Sequence, residues 1–105
     1  MEIDFTEALR LLVKICKEKE YNELQTAVHN SYIELIKIES GARREKASGL
    51  IRGIQAIDRE LTVLNFEYDK VKRDFKIDGI PYYDQFITGI KKKRGELAAL
   101  KNSLR

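Results

Sequence analysis

A chain of 105 residues has room for one core, burying roughly 65% of the surface its unfolded form exposes, so residues 1–105 are read as a single domain. Its one cysteine, Cys16, cannot close an internal disulfide, and no apolar run approaches the about 20 residues a membrane helix needs. With 20 Lys and Arg against 17 Asp and Glu, the net charge is +3, and the mixing of signs permits nucleic-acid contact without pointing to it.

The charge is uneven along the chain. Residues 1–40 hold five cations and eight anions, net −3, whereas residues 41–105 hold fifteen and nine, net +6. The acidic start MEIDFTEALR lacks the basic end of a secretory signal, and Cys16 sits among Leu12, Val13 and Ile15 as a buried free thiol would. A soluble, cytoplasmic protein is expected.

Asp4 and Glu7 are spaced as a capping box, followed by an apolar stripe of Phe5, Leu9, Leu12 and Cys16. A second series, Tyr21, Leu24, Val28, Ser31, Leu35 and Ile38, has coiled-coil spacing, with Asn22 and Gln25 as its capping pair and Gly41 as its stop. The two stripes differ in heptad phase, and the slip falls within KEKEYN, which has no Gly or Pro. One helix over 5–40 with a stutter, or two helices with a turn near Tyr21 and Asn22, both satisfy the pattern.

From Ala47 the residues Leu50, Ile54, Ile57, Leu61, Leu64, Tyr68, Val71 and Phe75 alternate by three and four without a miss, which predicts a long helix over about 42–77. Gly79 is placed to take the left-handed position after it, and Pro81 to open the next helix. There Tyr83, Phe86, Ile90, Leu97, Leu100 and Leu104 share a face. Gly95 directly follows four consecutive cations, Lys91 to Arg94, and the spacing predicts that this run is a charged helix end, complementing the helix dipole. Were the helix to continue through Gly95, the aligned set would be Lys91, Arg94, Lys101 and Arg105.

The expected fold is all-α, an antiparallel bundle of three long helices, or four if the first breaks near 20–22, with coiled-coil-like seams. The last helix is shorter than the third by about 18 Å and would leave the Gly41 end bare. Tyr32, Ile33, Ile36 and Ile51 supply apolar surface at that tip, so homodimerisation through these residues is expected there. The competing arrangement is a monomer in which residues 5–19 fold back over the same surface.

His29, the only histidine, has no second Cys or His to complete a zinc site. Glu60, Glu67 and Asp74 recur every seven residues beside Arg59, Lys70 and Lys72, as ion-paired acids on a wet helix face would. No phosphate-binding glycine motif is present. No enzyme activity, metal, cofactor or small-molecule substrate is expected.

Opposite the core seam of the third helix, Arg52, Arg59, Phe66 and Arg73 line up at seven-residue intervals, one aromatic among three guanidinium groups. These residues, with Tyr82, Lys91, Arg94, Lys101 and Arg105, are the candidate contacts. The expected function is a non-enzymatic protein–protein interaction module: a small adaptor, inhibitor, regulator or assembly component, homodimeric. The alternative is a nucleic-acid-binding accessory protein using the basic faces of the third and fourth helices. The abundance of Ile, Lys and Tyr points to an AT-rich bacterial or phage gene.

Overall fold

The computed structural model describes residues 4–40 and 47–103. Asp4 accepts a hydrogen bond from the Glu7 backbone N–H at 2.8 Å and so starts α1, Phe5–Lys19. Only half of the expected capping box forms, because the Glu7 carboxylate turns outward to Arg10 instead. Three further helices follow: α2, Asn22–Ser40; α3, Ala47–Phe75; and α4, Tyr83–Ser103. They pack antiparallel in a ring, α1 beside α2, α2 beside α3, α3 beside α4, and α4 back beside α1.

The break between α1 and α2 lies at Glu20, which adopts the left-handed conformation (φ 62°, ψ 37°) and returns its N–H to the carbonyls of Cys16 and Lys17. A left-handed residue with a side chain costs about 1–2 kcal/mol. Burying one Leu or Val side chain returns about 1.5–3 kcal/mol. The turn lets both stripes go inside: Ala8, Leu12 and Cys16 from α1, and Tyr21, Leu24, Val28, Leu35 and Ile38 from α2. A continuous helix would point one stripe at water, so the phase slip in KEKEYN resolves as two helices. Asn22 does not cap α2 as expected, since it is already the first helical residue and Tyr21 precedes it with a backbone bond to Gln25. Ser31 is buried within this seam, its hydroxyl donating to the Val28 carbonyl at 2.8 Å.

The α3 seam is buried at Leu50, Ile54, Ile57, Leu64 and Val71, and half-buried at Leu61 and Tyr68. Its last member, Phe75, is 54% exposed and makes an edge contact with Tyr21, ring centroids 4.9 Å apart. Lys76 (φ 55°), not Gly79, takes the left-handed position that ends the helix, and the Ile77 N–H closes on the Lys72 carbonyl at 3.0 Å. The connection to α4 is tied down by Tyr68, whose hydroxyl accepts from the Ile80 N–H and whose ring stacks on Tyr83 with centroids 3.7 Å apart. Lys72 lies over the other end of this stack, 4.4 Å from the Tyr68 centroid. Pro81 and Tyr82 form the turn, and α4 begins at Tyr83.

Helix α4 runs unbroken through Gly95 to Ser103, so Lys91 to Arg94 lie in mid-helix and the expected helix end is not there. Eight further residues of helical hydrogen bonding outweigh the roughly 1 kcal/mol that glycine costs relative to alanine.

At Phe5, α1 meets the first turn of α4 and the middle of α2: its ring stacks on Phe86 (5.4 Å) and tilts against Tyr32 (6.1 Å). Since α1 runs antiparallel to α2 from the Glu20 turn, its 15 residues cover the half of the bundle near the α3–α4 connection. Residues 5–19 thus fold back as a separate helix, the arrangement expected as the alternative, and reach the tip residues at Tyr32.

Helices α2 and α3 approach closely at Gly53, where a Cβ would stand 2.5 Å from Ile38 Cγ1. At Gly95 an added Cβ meets nothing within 4 Å. Gly53→Ala is therefore expected to destabilise the fold by about 1–3 kcal/mol, because buried, β-branched Ile38 cannot withdraw. Gly95→Ala is expected to stabilise it by up to about 1 kcal/mol. Urea unfolding of the two variants beside the parent checks both signs.

Candidate functional site

Two sets of contacts orient α3. Gly53 faces Ile38 of α2; Asp58 and Asn65 face α4, where they accept hydrogen bonds from Arg94 Nε (2.6 Å) and the Tyr83 hydroxyl (3.1 Å). With both flanks engaged, the remaining side of the helix points to solvent. Arg52, Arg59 and Arg73 are exposed there, and Phe66 is 64% exposed among them. Val63, 44% exposed, and Lys70, also exposed, fill the intervening turns.

The outer face is therefore a seam of its own. Arg59, Val63, Phe66, Lys70 and Arg73 alternate by four and three, with Arg52 one heptad before them. From Arg52 to Arg73 it spans about 32 Å of straight helix. None of the four cations makes an ion pair or side-chain hydrogen bond with another described residue. Two nearby acids of α3 are engaged elsewhere, Asp58 by Arg94 and Asp69 by Lys72 at 3.5 Å. A cation-rich line with an apolar centre is left open to solvent.

The α4 candidates are dispersed. Arg94 bonds Asp58 through two nitrogens, at 2.6 and 3.0 Å, and so ties α4 to α3. Lys93 reaches Glu39 of α2 at 3.6 Å and lies 5.9 Å from the Phe5 ring centroid. Lys91 is exposed, Lys101 is half-buried, and Arg105 lies outside the described residues. Tyr82 is half-buried and packs against the core in an unusual backbone conformation, φ 71°. The basic run therefore divides between helix–helix ties and solvent.

The four residues expected at a dimer tip also separate. Tyr32 packs against Phe5 of α1. Ile36, one turn further along α2, shares that flank, and Ile33 is half-buried beside it. Ile51 lies on α3, seven residues before Asp58 and so on the α4-facing flank of that helix. Ile36 and Ile51 are 37% and 42% exposed, on two different surfaces.

Two shallow grooves lie on the surface of the described residues. One, of about 280 Å³, is lined by Glu39, Lys93, Glu96, Leu97 and Leu100. The other, of about 400 Å³, runs between α1 and α2 along Val13, Asn22, Gln25, Thr26 and His29. Burial pushes the Cys16 thiol up to about 11, which keeps it protonated and unreactive at neutral pH. Burial also raises the Tyr83 hydroxyl, helped by the neighbouring Tyr68, Asp69 and Asp84. Among the described residues, no three His, Cys, Asp or Glu side chains converge to hold a metal ion, and no helix is long and apolar enough to cross a membrane.

No protein-family model matches the chain, and no match was found among curated proteins or solved structures.

The hydrogen bond from Arg94 holds the Asp58 carboxyl below its ordinary range. A carboxyl depressed in the folded state stabilises at pH above its unfolded value, about 3.9, and that contribution is lost as pH falls through the folded value. Both side chains are more than a third exposed, 37% and 47%, so solvent screening limits the pair to about 0.2–1 kcal/mol. A double-mutant cycle of Asp58→Asn and Arg94→Met should return a coupling of that size at neutral pH and none once the carboxyl is protonated.

Proposed function

We propose that this protein is a non-enzymatic protein-binding module, an adaptor, inhibitor, regulator or assembly component, that receives its partner along the outer face of α3. The observation that carries the reading is Phe66, 64% exposed, at the centre of a line of four cations that have no partner among the described residues. Interfaces between proteins combine a small apolar centre with a charged rim, and aromatic and arginine side chains carry much of their energy. Covering the exposed part of Phe66 would contribute on the order of 1–2 kcal/mol. Pairing the surrounding cations would add specificity and rate of encounter more than affinity.

A nucleic-acid partner would use the same cations, with Phe66 stacking on a base. The acids on the flank of the seam favour a protein instead. Glu60, Glu67 and Asp74 recur every seven residues alongside it, and a duplex about 20 Å across would press its phosphates against them. A single helix about 10 Å across can meet the cations and leave these acids at its edge.

The test is photo-crosslinking in native lysate with a light-activated phenylalanine analogue at position 66, compared with the same residue at exposed position 14 on α1. A discrete adduct at position 66 alone, sensitive to protease and resistant to nuclease, is expected. A nuclease-sensitive adduct moves the function to nucleic acid; no adduct at position 66, or the same adduct at both positions, overturns the proposal.

A further inference from the structure

We infer that the partner element laid along α3 is an acidic amphipathic helix, with carboxylates towards both ends of the contact and apolar residues at its middle; this rests on the protein-binding reading of the same face. The spacing of the exposed side chains supplies the shape. Arg59, Val63, Phe66, Lys70 and Arg73 continue by four and three, the interval at which a second helix winding gently around the first keeps one face against it. The chemistry is graded along that line. Arg52 and Arg59 stand at one end, Val63 and Phe66 in the middle, Lys70 and Arg73 at the other, so the matching surface is acidic, apolar, acidic.

Charge also excludes a second copy as the occupant. Two such faces packed in parallel set each cation against itself. Packed antiparallel about Phe66, they set Arg59 of one copy against Arg73 of the other. Like charges meet either way, and none of the four cations is ion-paired with another described residue. The flanking row of Glu60, Glu67 and Asp74 further favours a ligand whose acidity is confined to one stripe over a uniform polyanion.

A synthetic helical peptide long enough to span the about 32 Å seam provides the probe, with glutamates placed opposite the four cations and leucines opposite Val63 and Phe66. Its controls are a peptide of the same composition with the periodicity scrambled, one with every glutamate replaced by lysine, and a single-stranded DNA of equal charge. Titrated into the isotope-labelled full chain, the acidic peptide should shift backbone resonances on the outer face of α3, and its affinity should fall at least about tenfold between about 50 and 300 mM salt. The double variant Arg59→Glu, Arg73→Glu should lose the acidic peptide by at least about tenfold and gain the lysine peptide. Phe66→Ala should weaken binding at high salt as well as low. All three side chains are exposed, so unchanged helicity by circular dichroism is expected and identifies any variant that fails through misfolding.

Equal binding of the scrambled peptide, resonance shifts away from α3, or an unaffected charge-reversal variant overturns the acidic helix. Tighter binding of the DNA through the same residues does so too. Capture of a protein at position 66 without peptide binding overturns this inference alone. No capture at position 66 overturns the protein-binding reading and this inference with it.

Discussion

At Gly53 the backbone of α3 comes so near the side chain of Ile38 that no Cβ fits between them, and this approach sets the register in which α2 and α3 share their seam. From there the positions of the other helices follow. At the far end of the two helices Tyr21 meets the edge of Phe75, and the Glu20 turn lies there. The turn returns α1 along α2 and α4 only as far as Phe5, where Tyr32 and Phe86 receive it. On the other flank, the Tyr68–Tyr83 stack and the Arg94–Asp58 pair hold α4. With α2 on one side of α3 and α4 on the other, Arg52, Arg59, Phe66 and Arg73 are left facing solvent.

How much of this could be read from the residues depends on the range of the interaction. The α3 seam was legible because a heptad repeats locally, and α2 was legible for the same reason. The break at Glu20 showed only as a slip in phase: choosing between stutter and turn needs the tertiary burial of Leu12 and Cys16, which local pattern does not contain. Gly79 and Gly95 were misread in one way. Glycine permits a helix to stop but does not compel it, and Lys76 accepted the left-handed conformation that Gly79 was positioned to take. Arg94 reaching Asp58 across 36 positions left no local trace.

For the candidate face, the row at seven-residue spacing could be read directly, but Val63 and Lys70 were missed. They stand three residues before Phe66 and Arg73 and complete an alternation by four and three, a pattern normally sought among apolar residues. Applied to cations and apolar residues together, the same search finds the outer seam. It cannot show which cations are free, because the engagement of Asp58 and Asp69 depends on rotamers and on α4.

The outer face also stands apart from the interactions that stabilise the bundle. Its cations make no ion pair with the described chain, and Phe66 is exposed where Leu50, Ile54, Ile57, Leu64 and Val71 on the same helix are buried. Substitution there should cost the fold little, since surface positions of this kind usually lie within about 0.5 kcal/mol of neutral. A solvent-facing phenylalanine and valine on a long helix invite self-association. Arginine and lysine on both sides of that pair oppose it, because two copies cannot bring their apolar centres together without juxtaposing like charges. The same four cations that block a second copy are those that would attract an acidic helix, so resistance to self-association and choice of partner come from one set of side chains.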